Sequence, residues 1–359
     1  MIGTSRMIPH SRPSIEAVDV RAATDVLKSR QLAQGGIVDQ FERGMAAHFG
    51  LPGGVAVTSG TAALEVALRV LGIGTHDEVL LPSYVCAAPL LAVQRVGAMP
   101  RLVDIDLDTF NIDPSAARQA VTSKTKAIIV PHLFGLSAAL SDLQALGVPI
   151  IEDCAQTLGA VGQGRPVGSV GVLTVCSFYA TKPLCAGEGG MVLSPDDSLL
   201  ERARRLREYD ETPSLYPSAT NLKMTDLQAA IGLAQLNRLG SFLERRSALA
   251  DEYRSALSGA LPIQPLVPAG YTHSYYRFVL RLPNLADHPD GLQDLIGRFE
   301  TQGLQCRKPV FRSLHRYLEM KGFPAAEEAE RTALSIPLFP ALTDEEVAQI
   351  LLALRAEWS

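Results

Sequence analysis

Ile150-Ile151-Glu152-Asp153-Cys154-Ala155-Gln156 is a short apolar run that ends in acids. Twenty residues on, Val172–Ser177 is a second apolar run. It leads into Phe178-Tyr179-Ala180-Thr181-Lys182 and a glycine-rich turn, Gly187-Glu188-Gly189-Gly190. Both runs read as buried strands that end in functional groups, the pattern of an open α/β sheet, whose ligands gather at the carboxyl ends of its strands.

Working outward, Val55–Val57, Glu78–Leu81, Arg101–Ile105, Ala127–Val130, Pro149–Glu152 and Met191–Leu193 also read as strands. Helical patterns over Thr61–Leu71, Val85–Val96, Pro114–Val121 and Ala138–Leu146 separate the earlier ones, which predicts a mostly parallel sheet between helix layers. Too few residues separate 172–177 from 191–193 for a crossover helix, so an antiparallel edge is expected. Two helices, about 14–29 and 37–49, precede the sheet and are separated at Gln34-Gly35-Gly36.

Beyond residue 222 the pattern changes. Long helices over Met224–Leu239 and Ser241–Leu257 are followed by a strand at Tyr275–Leu282, a helix at Gly291–Gln302 and a strand at Gln305–Pro309. A last helix covers Thr343–Trp358, opened by the capping box Thr343-Asp344-Glu345-Glu346. The 359 residues exceed what one core serves, and the expected division is a large α/β/α domain over 1–240 and a smaller α+β domain over 241–359.

With 47% hydrophobic and 20% charged residues the chain is globular, and a net charge of −5 argues against a dominant nucleic-acid surface. No apolar run is long enough for a membrane span. Met1–Pro13 lacks the apolar core of a secretory leader, so the cytoplasm is the expected compartment. The cysteines are Cys86, Cys154, Cys176, Cys185 and Cys306. An odd number without C-x-x-C spacing points to neither a disulfide framework nor a metal site.

Lys182 and Asp153 suit pyridoxal phosphate (PLP). A lysine amine can form a Schiff base with the cofactor aldehyde, and an acid can keep the pyridine nitrogen protonated. Alone, Lys182 reads as a solvated lysine and Asp153 as a helix cap. Ser59-Gly60-Thr61 follows a strand and opens a helix, where backbone N–H groups and the dipole suit a phosphate, although such a sequence is also ordinary capping. Ser177 can add a hydroxyl to the same phosphate, and Gln156 lies within reach of the cofactor's phenolic oxygen.

Taken in order, these motifs resemble the DegT/StrS family of PLP-dependent sugar aminotransferases, of the aspartate-aminotransferase-like fold type I. The likeness runs over nearly the whole chain. It includes Glu78-Val79-Leu80-Leu81-Pro82-Ser83-Tyr84, Val103-Asp104-Ile105-Asp106, Thr125–His132, Asn221–Ala230 and Leu338-Phe339-Pro340-Ala341-Leu342-Thr343. The resemblance implies Lys182 as the Schiff-base lysine and proton shuttle, and Asp153 as the partner of the pyridine nitrogen. It implies Gln156 at the phenolic oxygen and Gly60, Thr61 and Ser177 in the phosphate cup. Asn221 would reach the phosphate of a neighbouring subunit in a homodimer with composite sites. The implied substrates are a keto-sugar on a nucleoside diphosphate and an amino donor, L-glutamate by analogy.

Some positions depart from the family pattern. Cys86 stands where many members carry an aromatic over the ring; the resemblance implies that Cys86 binds the cofactor there with weaker stacking, or that Tyr84 or another group covers the ring. Lys223 replaces a usual arginine, and Tyr209-Asp210 a usual His-Gly. Arg307, Arg312, His315 and Tyr317 are candidates to approach the substrate. Two other readings stand beside the transaminase. A PLP-dependent sugar dehydratase would carry histidine in place of Lys182. A non-catalytic regulator would keep the fold without turnover.

Overall fold

The computed structural model describes residues 7–209, 218–257, 263–288 and 290–358; Asp210 lies outside them. Its centre is a seven-stranded sheet of β1 (Gly53–Val57), β2 (Glu78–Pro82), β3 (Met99–Val103), β4 (Thr125–Pro131), β5 (Ile150–Asp153), β6 (Leu173–Ser177) and β7 (Gly190–Ser194). The spatial order is β1-β7-β6-β5-β4-β2-β3. β3, β2, β4, β5 and β6 pair in parallel, and β7 is antiparallel to both β6 and β1. The antiparallel strand is therefore second from the edge, not the edge itself. The connection after β6 carries no helix, so β7 turns back beside β6, and β1 closes the sheet on its far side.

Side chains alternate across this sheet. Val55, Val57, Leu173, Val175 and Val192 face one core with α1 (Gly60–Val70), whereas Ala56, Cys176, Met191 and Leu193 face another with the helix Gly36–Phe49. A third cluster, with Leu80, Ile128, Val130 and Ile150, continues the second face. Helices thus cover both faces, the three-layer arrangement expected of a parallel sheet. The pattern Ala138–Leu146 shortens to a helix of five residues, Leu140–Gln144.

A second sheet joins Ile263–Gln264, Phe278–Arg281 and Ala333–Ile336, all antiparallel neighbours. The strand expected at Gln305–Pro309 is reduced to one bridge, between Arg307 and Ser335, and Ala333–Ile336 fills the sheet position instead. Pro309 has no N–H for a ladder, and Ala333-Leu334-Ser335-Ile336 is fully buried against Phe278–Arg281. The core here unites Leu249, Tyr253, Phe299, Leu334 and Ile350 with Ile8, whose backbone pairs with Gly303 and Gln305. The N-terminal strand segment is thereby tied to the C-terminal part of the chain.

Candidate active site

Two pieces of the site come from the carboxyl ends of neighbouring strands. Asp153 closes β5 and is 8% exposed. One of its carboxylate oxygens accepts from the Ala155 N–H at 3.0 Å. Burial pushes this carboxyl up, while the Ala155 hydrogen bond and the Lys182 charge oppose the shift. A buried acid held this way is suited to a cationic partner. Ser177 closes β6, in register with Gly190 on β7.

α1 begins at Gly60 because Ser59 caps it, taking the Ala62 N–H on its hydroxyl at 3.1 Å. The Ala63 N–H goes to the Ser59 carbonyl. The N–H groups of Gly60 and Thr61, at the positive end of the helix, are left for an anion. Gly60 is required here, since a Cβ at this position would stand 2.7 Å from the Ser177 Cβ. Gly190 is pressed equally close, its virtual Cβ 2.3 Å from the Ser59 carbonyl oxygen. These contacts bring the Ser59-Gly60-Thr61 turn and the Ser177 hydroxyl together, a cradle that fits a phosphate.

Lys182 sits in the turn after β6, with its backbone N–H on the Tyr179 carbonyl at 2.8 Å. Its Nζ lies over the ring of Tyr276, 5.2 Å from the centroid. Tyr276 is itself held by Thr181, whose hydroxyl is 3.3 Å from the phenol, and by Arg277, which donates to the phenol oxygen at 3.3 Å. Burial would raise the Tyr276 phenol, but the charges of Arg277 and Lys182 and the Thr181 hydrogen bond bring it down to about 7.

Gln156 accepts the Phe134 N–H on Oε1 at 2.9 Å, which leaves its amide N–H groups to donate. It lines a cleft of about 730 Å³ together with Cys86, His10, Arg277, Arg307, Arg312 and other residues. Cys86 opens onto this cleft but is otherwise walled by protein. Burial raises its thiol, with the Lys182 charge pulling the other way. Tyr84 does not take over the ring-covering position, because it is fully buried against Phe110 at 5.9 Å between centroids. Asn221 is exposed, its Oδ1 accepting from the Lys223 N–H, and the next residue, Leu222, accepts from the Thr58 N–H.

Arg307, Arg312 and Tyr317 line the cleft as expected. His315 does not. It is fully buried, with Nδ1 2.6 Å from the Ser83 hydroxyl and its ring stacked on Phe323 at 5.0 Å. It locks the segment around residue 315 onto the end of β2. His132, Glu152 and Cys154 also lie close together, but this is a structural latch and not a metal site. His132 Nδ1 accepts the Ala138 N–H, so its Nε2–H donates to Glu152. Glu152 further accepts from Gly168, Val170 and Gly171, which leaves no donor set free for an ion.

Tyr276, Arg277 and His10 escaped the sequence reading. The only local signal was a cation, Arg277, at the start of a strand that also carries Arg281. Their meeting with Lys182 depends on contacts between segments far apart in the chain.

A buried acid, a lysine and an anion cradle at the carboxyl end of a three-layer sheet define a PLP-dependent transferase. Comparison with known proteins sharpens this. Residues 13–355 match the DegT/DnrJ/EryC1/StrS aminotransferase family, and the chain belongs to that family. A "pleiotropic regulatory protein" of Geobacillus stearothermophilus is 34% identical, over 96% of this chain and 95% of its own length. GDP-perosamine synthase of Vibrio cholerae is 30% identical over 96% and 97%. Among solved structures, Spr1654 of Streptococcus pneumoniae, assigned as a sugar aminotransferase and solved in its PMP form, superposes with a TM-score of 0.92 at 28% identity, covering 98% of this chain and 97% of that one. The protein is a PLP-dependent aminotransferase of the sugar-modifying type.

Proposed function

We propose that the chain moves an amino group from L-glutamate to a keto-sugar carried on a nucleoside diphosphate, with Lys182 as the proton-transfer base. The observation that carries this reading is that the buried Asp153 carboxyl, at the end of β5, feels the charge of Lys182, in the turn that follows the adjacent strand β6. When bound, PLP supplies a cationic conjugated ring that accepts the electron pair released at the carbon bearing the amino group. Lys182 would pass the proton from that carbon to the cofactor in the first half-reaction, and one from the cofactor to the acceptor carbon in the second. Asp153 holds a facing positive charge in place, and that charge relieves the cost of burying the carboxylate. Gly60, Thr61 and Ser177 hold the phosphate, and Gln156 donates to the ring's oxygen substituent.

The nucleotide reading is supported by the cleft. Arg307, Lys308 and Arg312 line it, and its volume of about 730 Å³ suits a substrate of this size. Phe311, 89% exposed on the same stretch, offers a face for a base. A homodimer with composite sites is supported by exposed Ile15, Val20, Leu27 and Leu32 on and beside the helix Ala17–Ser29, and by the exposed Asn221. The two domains are proposed to divide near residue 240, where the core around Tyr253 and Phe299 takes over from that of the large sheet. All five cysteines are free, which supports a reducing, cytoplasmic location.

The test is to add L-glutamate to the PLP-loaded enzyme and follow both the loss of the cofactor's visible absorption and the release of 2-oxoglutarate. A panel of nucleotide-linked keto-sugars is then added, and the acceptor is the one that restores the absorption. A protein whose spectrum no amino acid changes would overturn the reading and favour a non-catalytic role.

A further inference from the structure

Arg277 lines the cleft and is a cation without a carboxylate partner among the described residues. One Nη lies 2.9 Å from both ring nitrogens of His10, and the other donates to the Tyr276 phenol at 3.3 Å. Its Cζ lies 4.9 Å from the centre of the Tyr276 ring. The Lys182 amine lies 5.2 Å from the same centre. The reacting lysine and the guanidinium therefore share one aromatic ring as a neighbour.

The surroundings keep this guanidinium available. Burial and the charges of Arg277 and Arg307 hold His10 down to about 2, so it meets Arg277 as a neutral imidazole. Arg307, exposed across the cleft, also has no ion pair among the described residues. Lys308 and Arg312 add to the positive charge of the lining, against the single acid Glu300. A half-buried cation without a carboxylate partner in such a setting favours an anionic ligand group.

We propose that Arg277 binds the side-chain carboxylate of a dicarboxylic amino-acid donor, with Arg307 as the second cation, while the donor's α-carbon is presented to Lys182. A carboxylate two methylenes further on lies roughly 4–5 Å from that carbon in the extended form, which extends its reach toward a guanidinium beside the same ring. A planar guanidinium can also hold a carboxylate through two parallel hydrogen bonds. This assignment rests on the transaminase reading and names its donor specificity residue.

The experiment compares wild-type PLP-loaded enzyme with Arg277→Gln and Arg277→Lys. First, binding of glutarate, an unreactive diacid, is measured by calorimetry. Second, the half-reaction with L-glutamate and with L-alanine is followed through the cofactor's absorption. Glutarate affinity and glutamate kcat/KM should fall roughly 10- to 100-fold in Arg277→Gln, a clearly larger loss than the alanine rate shows. Arg277→Lys, which keeps the charge without the fork, should lose less and keep the preference for glutamate over alanine. Should Arg277→Gln not fold, Arg277→Lys decides alone, and its glutarate affinity must drop measurably. Unchanged glutarate binding in either folded variant, or an equal loss with glutamate and alanine, would overturn the assignment. If wild type reacts with neither amino acid, it is the transaminase reading that fails, which the wild-type control separates from failure at Arg277.

Discussion

The Lys182 amine rests over the face of the Tyr276 ring, 5.2 Å from its centre, so the lysine that the chemistry needs is positioned by an aromatic side chain from the other end of the chain. A cation over a ring face gains about 0.5–2 kcal/mol, enough to bias which way a flexible lysine points. The phenol of that ring faces Lys182, Arg277 and Arg246, with Thr181 on its hydroxyl and His10 behind Arg277.

A near-neutral tyrosine is a measurable consequence. In the cofactor-free protein, tyrosinate absorbance near 295 nm should show one ionisation close to pH 7 that Tyr276→Phe abolishes and Arg277→Met moves toward 10. The sign for stability follows from a folded-state pKa below the unfolded one. The contribution is fully present above about pH 10, and it is lost as pH falls through about 7. Urea melts should therefore show wild type gaining on Tyr276→Phe between pH 6 and pH 9. No change in the gap would refute the charge arrangement around the ring.

Removing the lysine separates covalent attachment from folding. Lys182 is half-buried, and its side chain is not part of a hydrophobic cluster, so Lys182→Ala should fold with near-normal melting. It should show no covalently held cofactor after borohydride reduction, and turnover should drop by at least about 10²- to 10⁴-fold, the span typical of losing a general base. Mass spectrometry of the reduced protein checks the first point, and a coupled assay for 2-oxoglutarate the second. Normal turnover in this variant would remove Lys182 from the chemistry.

Asp153→Asn tests the buried acid. Its carboxyl is raised by burial, so in the cofactor-free protein the ionised form opposes folding at pH values above the ordinary carboxylate range. The amide removes that cost without changing the shape, and cofactor-free Asp153→Asn should melt at or above wild type at pH 8. With cofactor the order should reverse, because the facing positive charge loses its partner. Activity should fall roughly 10²- to 10³-fold, as for loss of a preorganised electrostatic contact. Scanning calorimetry with and without PLP gives both comparisons.

Much of this architecture could be read from the chain, and the reason is local. Asp153 and Ser177 are strand ends, and Ser59 is a cap, so each is announced by its immediate neighbours. The strand at Gln305–Pro309 failed because Pro309 has no N–H to donate, and the pairing that remains, Gln305 with Ile8 and Arg307 with Ser335, depends on segments remote in the chain. His315 looked like a surface residue approaching substrate. Its burial comes from Ser83, 232 positions earlier, and no window of sequence contains both. Tyr276 and Arg277 read as an ordinary strand start for the same reason.

The Glu152 latch shows how the site's floor is held. Glu152 is wholly buried one residue before Asp153 and accepts from His132 Nε2 at 3.1 Å and from the N–H groups of Gly168, Val170 and Gly171. Burial would raise this carboxyl, but those hydrogen bonds keep it below its ordinary value. Glu152→Ala would leave a histidine N–H and three backbone N–H groups unpaired, at a cost of about 3–5 kcal/mol. The melting temperature should drop steeply, and the bound cofactor should loosen with it, because Asp153 is the next residue on the same strand. Glu152→Gln keeps the shape and one acceptor oxygen, so its loss should be smaller. A chelator such as EDTA should leave wild type unaffected in both melting and activity. If Glu152→Ala melts like wild type, the four hydrogen bonds do not hold the strand end, and if EDTA lowers the melting point, the cluster binds a metal after all.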